Sequence, residues 1–121
     1  MSDLKKLGPH GEAFAKGMLL KRGDKVLASN YVCPQGELDL VSWHKDTLVF
    51  TEVRTRSSLQ FGSPAETVTP FKQLKVKRAA NWFVVKMYQG RALPPCRFDV
   101  IWLIAKDGAI VESGIIEGAF C

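Results

Sequence analysis

Asp39 and Glu52 lie in one stretch, GELDLVSWHKDTLVFTEVRTR from Gly36 to Arg56, whose alternating residues read as two strands joined by a turn. With the turn centred on Lys45 and Asp46, Trp43 faces Leu48, Val41 faces Phe50 and Asp39 faces Glu52, all on one side of the sheet. Lys-Asp is not one of the dipeptides that favour a two-residue turn, but a symmetric four-residue loop, His44 to Thr47, gives the same register. Like charges placed opposite each other are destabilising, so a buried pair of acids needs a shared proton or a bound cation. Two carboxylates, a backbone carbonyl such as that of Val53, and water make the oxygen-rich shell that magnesium or manganese prefers. Such an ion polarises a phosphodiester and lowers the pKa of a bound water. Arg54 shares the face of Glu52 and can hold a phosphate oxygen. His10 and His44 are the only histidines, which argues against a His-based zinc site or a histidine-driven phosphodiesterase.

The elements that must position these groups follow from local signals. A helix from about Gly11 to Arg22 ends at Gly23-Asp24. It carries Glu12 at the edge of the stripe formed by Ala15, Met18 and Leu19, where an acid either reaches solvent or points into a site. Lys25 to Val32 is a strand, and Cys33-Pro34-Gln35-Gly36 turns it into the hairpin. Ser57 to Gly62 reads as a loop. Ser63-Pro64-Ala65-Glu66 has the form of a capping box, and Thr69-Pro70 repeats the start signal for a helix of about Pro70 to Gln89, stopped by Gly90. Phe71, Leu74, Ala79, Trp82, Phe83, Val85 and Met87 are expected to supply its apolar cover. Cys96 to Ala105 and Ala109 to Ile116 are strands around the Asp107-Gly108 turn. The order is αβββαββ, an α/β protein with a mixed five-stranded sheet flanked by helices. Asp99, in an apolar run, is expected to pair with an arginine.

At 121 residues and 46% hydrophobic content the chain, residues 1–121, is expected to be a single domain. It has no stretch suited to a membrane span and no secretory signal, and reads as cytoplasmic. Cys33, Cys96 and Cys121, odd in number and widely spaced, suggest neither a disulfide framework nor a zinc ribbon. The formal charge of +5 is unevenly placed: Arg54, Arg56, Lys72, Lys75, Lys77, Arg78, Lys86, Arg91 and Arg97 face a single acid, Glu66, within their segment. That distribution suits a surface that meets a polyanion, with Arg56, Lys72, Lys75 and Arg78 as candidate nucleic-acid contacts; a solvated helix face is the competing reading.

Taken in order, GEAFA, GELDL, TEVRTR, SPAETVTPFKQLKVKRAANWF and RFDVIW resemble the YraN family of small bacterial proteins. That family belongs to the restriction-endonuclease-like superfamily, whose site is written PD-(D/E)xK, and is similar to archaeal Holliday-junction resolvases. The resemblance runs from about Gly11 to Phe120. It implies a restriction-endonuclease-like core in which Glu12 is the first-helix acid, Asp39 the strand acid and Glu52 the second metal-binding acid, with Arg54 where the lysine usually stands. It also implies a magnesium- or manganese-dependent endonuclease acting on DNA in preference to RNA, on structured or branched DNA, with no membrane partner; a homodimer would suit symmetric cutting. Leu38 replaces the proline of the motif. Arginine, unlike lysine, does not give up its proton to assist a water nucleophile. Three alternatives stay open: the metal-bound water needs no such help, Lys72 or Lys75 reaches in from the following helix, or the chain is a weak or inactive nuclease that still binds nucleic acid or a partner.

Overall fold

The computed structural model describes residues 8–57 and 67–121, with side chains from His10 onward. The elements are α1 (Gly8–Arg22), β1 (Lys25–Cys33), β2 (Gly36–His44), β3 (Thr47–Arg56), α2 (Pro70–Tyr88), β4 (Cys96–Lys106) and β5 (Ala109–Phe120). Their order is the expected αβββαββ, with β5 reaching four residues further than its sequence pattern suggests. The capping box at Ser63 and most of the Ser57–Gly62 loop lie outside the described residues.

Local chemistry accounts for the boundaries. Gly23 takes φ 99° to end α1, and its amide and that of Asp24 return to the Leu20 and Leu19 carbonyls. Thr69 caps α2 by accepting a hydrogen bond from the Lys72 amide at 3.2 Å, with Pro70 at the first helical position. Lys45 adopts φ 54°, so the hairpin turn forms at Lys45-Asp46 without the usual glycine. The register is the expected one: Trp43 pairs with Leu48, Val41 with Phe50 and Leu40 with Thr51.

The strands lie side by side in chain order, antiparallel except for β3 and β4, which are parallel because α2 carries the chain across. One face packs Ala15 and Leu19 of α1 against Leu40, Ile101 and Leu103. The other packs Val76, Ala79, Ala80, Phe83 and Val84 of α2 against Leu38, Val41, Leu48 and Phe50. Leu38 and Leu40 have the same parity yet join opposite clusters, so β2 rotates about its axis between them, at Asp39.

An ionic network fastens α1 to the sheet. The Arg22 guanidinium donates to Asp24 at 2.6 Å and to Asp99 at 3.1 Å, Arg97 donates to Asp99 at 2.8 Å, and the Gly118 amide donates to Asp99 Oδ1 at 3.0 Å. Asp99 is fully buried and meets two arginines, as its apolar context suggests. Burial alone would raise the Asp24 carboxyl, but hydrogen bonds from Arg22 and Ser42 outweigh it and hold the group below the usual carboxylate value. Removing one partner from such a group leaves charge buried and unpaired. Asp99→Ala is expected to lower the unfolding free energy by about 3–5 kcal/mol, seen as a large drop in the urea midpoint. A drop no greater than that of an exposed control such as Glu37→Ala would show that the network is dispensable.

Candidate active site

The ladder between β2 and β3 ends at Leu40 and Thr51, and beyond that rung the strands part. The Val53 amide donates to Asp39 Oδ2 at 2.9 Å, so a side chain takes the bond that a neighbouring strand would otherwise supply. Glu52, 2% exposed, lies beside this carboxylate. Burial, the Asp39 charge and a hydrogen bond with Asp39 push the Glu52 carboxyl up to about 8, against smaller opposing pulls from Lys72 and Arg54. At neutral pH Glu52 therefore keeps its proton, the alternative to a cation that opposed carboxylates require.

The cation nearest this pair comes from α2. Lys72 falls on the core-facing stripe with Val76, Ala79 and Phe83, one turn before the first buried residue, so it is aimed at the sheet rather than at solvent. Its Nζ lies 3.6 Å from Glu52 Oε1, longer than a hydrogen bond and consistent with a glutamate that keeps its proton. Lys75 and Arg78 follow at steps of three residues, each rotated by about 60° from the last, and so leave the site for the outer face. Lys75 Nζ sits 5.0 Å from the centroid of the Phe71 ring.

Arg54 does not reach into open space. Its Nη2 donates to the Thr67 carbonyl at 2.7 Å and its Nε to Thr67 Oγ1 at 3.2 Å, fastening β3 to the approach to α2. Glu12 accepts a hydrogen bond from Asn30 Nδ2 at 2.6 Å. Among the described residues no group of three or more His, Cys, Asp or Glu is placed to hold a metal ion, so the acids brought together are two, Asp39 and Glu52. Arg56 lies two residues beyond Arg54 at the end of β3, partly exposed.

The apolar cover expected of α2 divides. Ala79 and Phe83 are buried, whereas Phe71, Leu74 and Val85 are exposed because the sheet covers only one stripe of the helix and these three project elsewhere; Met87, on the covered stripe, is exposed in the last turn. Sequence reasoning missed Asn30 and Thr67. Asn30 adopts φ 51° within β1, a conformation asparagine tolerates, and its presence in a run of branched residues was the available signal. Thr67 carried none, since its role depends on a contact distant in sequence.

The match to known families decides the chain's kinship. The uncharacterised protein family UPF0102 matches residues 11–103, which include Glu12, the hairpin, α2 and most of β4. The chain belongs to the UPF0102 family. UPF0102 proteins of Moorella thermoacetica, Caldicellulosiruptor bescii and Syntrophomonas wolfei are 41%, 38% and 42% identical to it. These alignments cover 93%, 98% and 93% of the chain and 93%, 99% and 96% of the respective relatives. The resemblance drawn from the motifs thus extends over nearly the whole length. Among the described residues no helix is long and apolar enough to cross a membrane.

The raised Glu52 carboxyl has a consequence for stability. The folded state binds a proton that the unfolded chain releases near pH 4.5, so this contribution is complete below that pH and is lost as pH rises through about 8. Between pH 5 and pH 9 the native chain is expected to lose on the order of 4 kcal/mol through this group. Glu52→Gln should flatten that decline in urea unfolding measured across the range; equal pH slopes for the two proteins would show that Glu52 ionises normally.

Proposed function

We propose that this UPF0102 protein is a divalent-metal-dependent endonuclease that binds DNA, with structured or branched DNA as its substrate. The observation that carries the reading is the pairing of half-buried Asp39 with buried Glu52 at the parting of the hairpin, with the Lys72 ammonium beside it. The donor set suits magnesium or manganese: two carboxylates, joined by the Val53 carbonyl, are all oxygen, and the proton on Glu52 occupies the place a cation would take. Such an ion, when bound, supplies Lewis-acid polarisation of the phosphodiester and a more acidic water.

The protein's own groups have separate tasks in this scheme. Asp39 and Glu52 would hold the cation, Glu52 after giving up its proton. Lys72, which can exchange protons as arginine cannot, stands in for the lysine missing at position 54 and faces the attacking water or the departing oxygen. Arg54 keeps β3 and the start of α2 in register through Thr67, and with Arg56 lends positive charge to a phosphate. Glu12, bonded to Asn30, contributes from α1 at the margin of the site.

A second reading has one observation in its favour: the Arg54 guanidinium is committed to Thr67, which suits a nucleic-acid-binding or partner-binding module that keeps the nuclease fold without turnover. The two readings separate in one assay. With magnesium or manganese, the protein is expected to nick or resolve at least one of a panel of linear, flapped and four-way-junction DNAs. Chelation should stop it, Glu52→Ala should abolish it with binding intact, and Lys72→Ala should slow it by about a hundredfold or more. Salt-dependent binding without a divalent requirement and without cleavage of any substrate would establish the module instead. Cleavage undiminished in Glu52→Ala would show that the activity belongs to a contaminant.

A further inference from the structure

The side of α2 turned away from the sheet carries features that the acid site does not use. Phe71, Leu74 and Val85 are 68%, 45% and 58% exposed there, opposite the buried stripe of Val76, Ala79 and Phe83. Lysines and Arg78 are interleaved with them, and the helix from Pro70 to Tyr88 contains no Asp or Glu. Lys75 Nζ lies 5.0 Å from the centre of the Phe71 ring and Lys86 Nζ 5.4 Å from that of Trp82. Two pairs one helical turn apart, Lys77 with Asn81 and Arg78 with Trp82, border a groove of about 320 Å³ that Gln35, from the turn between β1 and β2, also lines.

The chemistry of this face discriminates among occupants. A second copy of the chain would oppose the four cations of this face, Lys75, Lys77, Arg78 and Lys86, with four more and offer no acid from the same helix. An apolar segment would desolvate lysines without pairing them. Continuous duplex DNA would satisfy the charges, yet its bases are stacked on each other and cannot reach the rings. A single strand meets every feature: phosphates pair with Lys75, Lys77 and Arg78, unpaired bases stack on Phe71 and Trp82, and the amides of Asn81 and Gln35 offer a donor and an acceptor to a base edge.

We propose that the outer face of α2 binds an unpaired stretch of nucleic acid, with one base stacked on Trp82 in the groove beside Asn81. The inference rests on the nuclease reading above and narrows its substrate to DNA with a single-stranded segment. Trp82 lies ten residues after Lys72, about 15 Å along the helix axis. At about 3.4 Å per stacked nucleotide, four or five nucleotides span that distance. A strand seated on Trp82 therefore leads toward the acid pair at the N-terminal end of α2.

Fluorescence anisotropy with the full-length chain tests this, using a labelled oligothymidylate of roughly fifteen nucleotides and a blunt duplex of equal length at the same salt and without divalent ions. The strand is expected to bind at least tenfold tighter than the duplex. Trp82→Ala should weaken strand binding by about 5- to 150-fold while leaving duplex binding unchanged, and Trp82→Phe should retain most of the affinity. Phe71→Ala, at an exposed position that serves no core, should weaken strand binding in the same sense. Equal affinity for strand and duplex, or no effect of either alanine variant, overturns the inference, as does polyglutamate competing as well as the strand. If these results accompany metal-dependent cleavage of duplex DNA, only this inference falls. If strand, duplex and junction all fail to bind, the nuclease reading falls with it.

Discussion

Burial of Glu52 against a second carboxylate is the constraint on which the site depends. A carboxyl that is 2% exposed and set against a second one does not readily ionise without a compensating charge, and here the Glu52 carboxyl is pushed up to about 8. The fold accepts that cost because the hairpin parts where the acids meet, and Asp39 satisfies the Val53 amide with its side chain. The same carboxylate therefore completes the backbone hydrogen bonding of β3 and charges the site. A group bound by both demands is a poor candidate for a purely structural role, since an asparagine could accept from the Val53 amide without raising its neighbour's pKa.

Around this point the rest of the structure acts as a rigid frame. The parallel pairing of β3 with β4 fixes the line of Glu52 and Arg54, and the Arg22–Asp24–Asp99–Arg97 network anchors α1, β1 and β5 to that sheet. α2 then has two functions on two faces. Its buried stripe fills the core with Phe83 and Val76 and presents Lys72 to the acids, while its outer face gathers exposed Phe71, half-buried Trp82 and cations. The acid site and the proposed strand-binding face are thus carried by one element, on different faces of it.

Much of this was legible in the sequence because it depends on periods and caps. The strand period of two and a fixed turn position determine which residues oppose each other, and the register survived a turn built from Lys-Asp, since Lys45 adopts a positive φ. Thr69-Pro70 and Gly23 marked helix ends for local reasons that need no tertiary contact. The side switch between Leu38 and Leu40 was not legible, because a change of side within a strand depends on the backbone path taken in the folded sheet and not on residue type. Nor was the division of α2: its sequence is apolar on two sides, and only the sheet decides which side is covered. The drift of Lys72, Lys75 and Arg78 around the helix was visible, but which of them faced the acids depended on that same choice. Arg54's attachment to Thr67 required a contact formed only after folding.

The central claim is that the Asp39–Glu52 pair exists to exchange a proton for a divalent cation. A crystal soaked in manganese above pH 8, where the proton on Glu52 is released, tests it most directly through anomalous diffraction. The account predicts one strong manganese peak within coordination distance of an oxygen from each carboxylate. Clear density for both side chains, with no peak between them at saturating manganese, would contradict it.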